Sequence, residues 1–198
     1  MANRPATLKR HLVVGITALT CSIPGLRAEE GVPHEVQAAI LMRLLTYDRA
    51  LSARTVGAGG AVVLGIVAKS EDRSSASAQA GLAQAISVLQ AGRVPLRLAV
   101  VTTGYEGAAN LGEWLAKNKV QVLYVAPGLG AELEEIRGVC APKRVVTVTA
   151  VRDFVGRGLV AGIVLKGDRP GILVNLPAAT AAGMDLDPKL LALSEVIR

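Results

Sequence analysis

Ala61-Val-Val-Leu-Gly-Ile-Val-Ala68 is an unbroken apolar run, preceded by Gly57-Ala-Gly-Gly60 and followed by the polar stretch from Lys69 to Ser75. An apolar run of this length without polar alternation marks a strand buried on both faces, as in a parallel sheet covered by helices. Working outward, Leu96 to Val101 and Val120 to Ala126 have the same character, and Val145-Val-Thr-Val-Thr149 is a fourth, β-branched strand. Helical segments lie between them. Ala78, Leu82, Ala85, Ile86 and Leu89 share one helix face, which Ser74 or Ser75 can cap and Gly92 ends. Glu106 to Lys119 has acidic residues early and Lys117 and Lys119 late, as the helix dipole prefers. Ala131 to Val139 is a third, short helix.

On the N-terminal side, Val36, Ile40, Leu44, Tyr47 and Leu51 recur at helical spacing, predicting a helix from Pro33 to Leu51. On the C-terminal side, a loop with Phe154 and Gly158 leads to Leu159–Leu165. The turn Lys166-Gly-Asp-Arg169 and the return run Gly171–Leu176 complete a hairpin. A last helix is expected from Pro188 to Ile197. The alternation of strand and helix predicts an α/β fold: three layers, Rossmann-like, with a mostly parallel sheet, helices on both faces and a C-terminal antiparallel hairpin at one edge.

The first residues bear on location. Arg4, Lys9 and Arg10 precede a mostly apolar run from Leu12 to Ile23. Pro24-Gly25 break it, and Ala28 stands before Glu29-Glu30. This is the order of a secretory signal peptide, and the run is too short to span a bilayer. Residues 1–28 are therefore expected to be an export signal cut near Ala28, and 29–198 a single α/β domain. A retained membrane anchor or a plain basic N-terminus is the alternative. So is a lipoprotein reading at Cys21, which Ala18 and Thr20 fit poorly. Export also removes a false clue. Four of the 22 basic residues (Arg4, Lys9, Arg10, Arg27) and none of the 16 acidic ones lie in the first 28, leaving 18 against 16. With no basic cluster and 3% aromatic residues, the chain lacks the means to track phosphates and stack bases, so no nucleic-acid partner is expected.

No catalytic, metal or cofactor site emerges. Gly57-Ala-Gly-Gly60 precedes a strand, whereas a dinucleotide fingerprint follows one. Gly60 and Gly65 have the first P-loop spacing, but Ile66 stands where lysine is needed. The helix start at Ser74-Ser75 could meet an anion, and Thr102-Thr103-Gly104 could border a ligand crevice at the strand ends. An ordinary turn explains each. His34 and Cys140 are the sole histidine and cysteine beyond residue 28. Together they supply neither a nucleophile–base pair nor a metal set, and one cysteine cannot form an internal disulfide. Glu132, Glu134 and Glu135 read as a solvated helix face, and Trp114 as a core or interface anchor.

The order of elements, and above all Thr147-Val148-Thr149, Phe154, Gly158, Asn175-Leu176, Ala179, Gly183, Leu186, Leu190-Leu191 and Leu193, resembles the YfiR/HmsC family. Where members of that family commonly carry a serine and aspartate after the strand and a double glycine, this chain has Ala150 and Leu159. The resemblance implies a non-enzymatic periplasmic regulator. It would bind the periplasmic sensor region of an inner-membrane signalling protein, a diguanylate cyclase or sensor kinase, and repress it in c-di-GMP and biofilm control. It also implies competition by an outer-membrane lipoprotein and admits a homodimer. Redox control through paired cysteines, as in the family, is not expected here. Phe154 and Leu159 are candidate surface residues, with core packing as their other role. A small-ligand-binding protein with a crevice at the strand ends is the alternative function.

Overall fold

A computed structural model of the chain describes residues 31–51, 60–92 and 94–198. The expected signal peptide, with Cys21 and His11, and the glycines Gly57 and Gly59 lie outside the described residues. Gly31–Arg198 form one compact unit.

Helix α1 is His34–Thr46, followed by β1 Ala61–Ala68, α2 Arg73–Gln90, β2 Arg97–Gly104, α3 Ala108–Lys117 and β3 Val122–Val125. Then come α4 Leu133–Cys140, a 3₁₀ turn Ala141–Lys143, β4 Val146–Thr149, α5 Arg152–Gly156, β5 Ala161–Lys166 and β6 Arg169–Asn175. The chain closes with α6 Leu176–Ala181, α7 Pro188–Leu193 and β7 Glu195–Ile197. The sheet order is β2-β1-β3-β4-β5-β6-β7. Strands β1 to β5 run parallel, β6 returns antiparallel to β5, and β7 lies parallel to β6. The mostly parallel sheet and the hairpin are as the sequence predicts. Gly167, with φ +59 at the first position of the two-residue tip, suits a hairpin turn that needs a left-handed residue there.

Strand alternation builds two cores. Val122 and Tyr124 face α1, α2 and the C-terminal helices, among Leu41, Leu45, Leu82, Ile86 and Leu190. Leu123 and Val125 face α3 and α4, among Leu111, Leu115, Ile136 and Phe154. Trp114 belongs to the second layer, and its ring lies where a side chain on Gly65 would be, 2.9 Å from the position of such a Cβ. Gly65 is thus a gap in β1 that an indole fills, which accounts for the glycine inside an otherwise aliphatic strand.

Three local expectations are corrected. Helix α1 stops at Thr46 rather than Leu51, because the Asp48 carboxylate accepts from Ala50 N–H (3.1 Å) and Asp185 N–H (2.9 Å). An aspartate that captures nearby backbone donors competes with helix propagation. The cap of α2 is Asp72, which accepts from Ser75 N–H at 3.1 Å; the Ser75 hydroxyl instead accepts from Lys69 N–H at 2.9 Å. The last helix ends at Leu193, and Glu195–Ile197 join the sheet beside β6. Arg152 holds that strand, donating to both Glu195 carboxylate oxygens at 2.7 and 3.1 Å.

Candidate functional site

The chain reverses direction in the sheet between β1 and β3, and open α/β sheets take ligands at the carboxyl ends of the strands at such a point. Here the chain's own side chains occupy that end. At the end of β2, Gly104 lies against Ser70, whose hydroxyl fills the place a Cβ on Gly104 would need. Gln79 of α2 donates to the carbonyls of Ile66 and Thr103, both at 2.8 Å. After β3, Gly128 (φ +88) brings the turn to within 2.7 Å, measured from a Cβ position, of the Asp72 carboxylate. Asp72 therefore covers the start of α2 with negative charge, which opposes the anion-binding role open to a bare helix start.

The three glutamates are separated by partner. Glu132 takes the Lys69 ammonium at 2.7 Å, across the switch point. Lys69 holds the Glu132 carboxyl below its usual range, and Glu132 in turn raises Lys69. Glu135 accepts from the Tyr105 hydroxyl at 2.5 Å. Burial first, and Glu135 second, push that phenol upward. Glu134 pairs with Arg137 at 3.3 Å. The carboxylates do not converge on a common point as general acid–base chemistry requires.

His34 sits on α1 with its ring against Gly81 of α2, whereas Cys140 ends α4 on the other face of the sheet. Cys140 is 2% exposed, and burial pushes its thiol up to about 12. Among the described residues no group of three or more His, Cys, Asp or Glu side chains could hold a metal ion. One buried polar contact was invisible in the sequence. The Tyr124 hydroxyl donates to Gln37 Oε1 at 2.8 Å, and Gln37 Nε2 donates to the Val32 carbonyl at 2.6 Å, tying β3 to α1.

The residues that carry the family resemblance have structural roles. Thr149 donates to the Val125 carbonyl at 2.9 Å and accepts from Val151 N–H at 3.1 Å, and Thr147 accepts from Val160 N–H at 3.1 Å. Phe154 and Leu159 are buried, so the core, not the surface, claims both. Gly158 (φ +107) leaves room for Arg137, which donates to the Arg157 carbonyl at 2.8 Å. Asn175 caps α6 through Ala178 N–H at 3.1 Å and donates to the Val155 carbonyl at 3.0 Å.

The class of fold defined by this geometry recurs in solved structures. An ABC domain in complex with L-Trp from Streptococcus pneumonia superposes with a TM-score of 0.60 at 13% identity, over 83% of this chain and 60% of its own. A conserved domain protein from Vibrio cholerae O1 gives 0.59 at 14% identity, over 84% and 60%. A substrate binding protein with adhesive properties from Clostridium difficile gives 0.52 at 14% identity, over 76% and 60%. The chain thus spans three-fifths of the length of these structures, and the likeness is one of fold. No curated protein matches the chain. The YfiR/HmsC-like family matches residues 34–195, and the chain belongs to that family.

Proposed function

We propose that this chain is a non-enzymatic periplasmic regulator. It binds the periplasmic sensor region of an inner-membrane signalling protein, foremost a diguanylate cyclase, and represses its output. The observation that carries the reading is the family match over residues 34–195. The export signal read in residues 1–28 supports it, with 29–198 as the domain that acts outside the cytoplasm. Among the described residues no helix is long and apolar enough to cross a membrane. Repression works as a population shift. A regulator that binds one state of the sensor region more tightly than another favours the inactive arrangement by that difference in affinity. An outer-membrane lipoprotein that competes for the same surface relieves the repression. Once residues 1–28 are removed, Cys140 is the one cysteine left, so switching does not run through an internal disulfide.

The crevice at the strand ends is the second reading: Lys69 takes one Glu132 oxygen and Asp72 and Gln79 bind backbone groups there, while the other Glu132 oxygen, Oε2, is buried without a partner. The test is a cross-linked pull-down of the tagged protein from cells, with the captured proteins identified by mass spectrometry. Recovery of an inner-membrane protein with a periplasmic sensor and a cyclase or kinase output supports the proposal. A chain recovered free of any membrane partner overturns it.

A further inference from the structure

At the other end of the sheet, where β4 and β5 begin and β6 ends, a cleft of about 370 Å³ opens between α4 and α6. Its walls include Cys140, Ala141, Val145, Val160, Ala178 and Ala182. Ala182 also lines a second, adjoining depression of about 280 Å³, bordered by Lys143 and Arg144. The larger cleft is mainly apolar, the smaller is mixed, with Gln121 beside the two cations, and the charges around them have one sign. Arg137 lines the larger cleft and Lys143 and Arg144 the smaller, and no carboxylate lines either. Arg137 is engaged by Glu134 and the Arg157 carbonyl. Lys143 and Arg144 are exposed, and neither has a carboxylate partner among the described residues.

The backbone adds a second, independent observation. Arg144 has φ +51, in the left-handed region. Arg144 N–H donates to the Ala141 carbonyl (3.0 Å) and Val145 N–H to that of Cys140 (3.1 Å), the nested pair of bonds that ends many helices on a glycine. Lys119 (φ +52) repeats the arrangement one crossover earlier, through Lys119 N–H to Ala116 (3.2 Å) and Val120 N–H to Leu115 (3.0 Å). At both positions glycine would be free of strain, yet a cation stands there, at the same end of the sheet. Strain retained without a packing reason points to a use for the side chain.

We infer that the two adjoining clefts bind a small amphiphilic carboxylate, its apolar tail among the Ala and Val side chains of the larger and its head against Lys143 and Arg144 of the smaller. One-signed charge around a low-dielectric wall concentrates such anions. At about 30 Å³ for each water-sized group, the larger cleft holds roughly a dozen non-hydrogen atoms. Decanoate matches that size. This site is separate from the strand-end crevice and does not depend on the regulator reading.

The test is isothermal titration of the purified exported chain with decanoate, and with decanol, decylamine and acetate as controls. Saturable one-to-one binding of decanoate is expected, with each control at least about ten-fold weaker, because decanol and decylamine lack the charge-assisted contact and acetate lacks the buried tail. Arg144→Gly combined with Lys143→Gln should weaken decanoate about ten-fold. Its melting temperature should hold or rise, because glycine suits the left-handed position. Ala178→Leu, which extends into the cleft, should also reduce binding. Decanol binding as tightly as decanoate, undiminished affinity in the folded double variant, or no saturable decanoate binding would each overturn the inference.

Discussion

Tyr124→Phe removes one oxygen from the centre of the sheet. Tyr124 is fully buried and Gln37 is 4% exposed, so the Gln37 Oε1 that accepts the phenol at 2.8 Å has no route to water once the donor is gone. Burial raises the phenol above its usual range, so it remains a donor at every pH at which the fold is studied. Losing a neutral hydrogen bond and stranding a buried acceptor costs about 1–3 kcal/mol; we expect about 2 kcal/mol. For a domain of this size that lowers the melting temperature by about 4–8 °C. Gln37→Leu strands the Tyr124 hydroxyl and frees the Val32 carbonyl, so it should cost at least as much. The pair changed together removes both buried polar ends, and should cost less than the sum of the single changes by about 1–2 kcal/mol. Urea unfolding with linear extrapolation measures all four states of the cycle. Additivity of the two changes, or a Tyr124→Phe cost below about 0.5 kcal/mol at an unchanged slope, would refute the bond as a tie between β3 and α1.

Gly158→Ala should cost about 1–3 kcal/mol, because φ +107 suits glycine and the new Cβ would lie 2.8 Å from Arg137 Nη1; thermal melts read the loss. The Lys69–Glu132 pair predicts a pH profile. The folded Glu132 is depressed, so its contribution is present above the ordinary glutamate value and fades as pH falls through the lower folded one. The raised Lys69 contributes below the ordinary lysine value and loses that contribution only as pH climbs through its higher folded one. The stability difference between the parent and Lys69→Met should be flat near neutrality and shrink in acid, as chemical unfolding at several pH values would show. Cys140, with its thiol raised to about 12 and 2% exposed, should resist a disulfide-exchange reagent at pH 8 in the native chain. It should react promptly in urea, and equal rates in both states would contradict its burial.

β1 and β3 were legible because parallel, doubly covered strands need continuous apolar runs; β4 alternates Val and Thr, and β2, expected to be buried on both faces, lies at the sheet edge with only Leu98 buried. Element ends were less legible, since single side chains decide them. Asp48 ends α1 by taking the N–H of Asp185, far away in sequence, and Asp72 begins α2 by taking Ser75 N–H three residues on, a cap for which Ser74 and Ser75 were rival candidates. Glu195–Ile197 follow a leucine-rich helix and read as its tail. Only the exposed edge of β6 and the Arg152 guanidinium make them a strand. The pairings Lys69–Glu132 and Tyr124–Gln37 join residues far apart in sequence, so no local pattern announces them. The residues most specific to the family, Thr149, Phe154, Gly158 and Asn175, turn out to hold β4, α5, β5 and α6 together. They identify the scaffold while leaving its partner surface unmarked.

The hairpin tip decides how the protein should be handled in the capture experiment. A tag joined to the first residues would adjoin the proposed export signal, and one joined at Arg198 would adjoin β7, which pairs through three residues and one arginine. The exposed pair Gly167-Asp168 has neither constraint: a Cβ on Gly167 would have nothing within 4 Å. Exposed tips of this kind are where inserted sequence is best tolerated. An epitope spliced between these two residues would stand clear of both cores and leave both ends of the chain as they are. It gives the experimenter a handle that does not pull on the molecule being fished with.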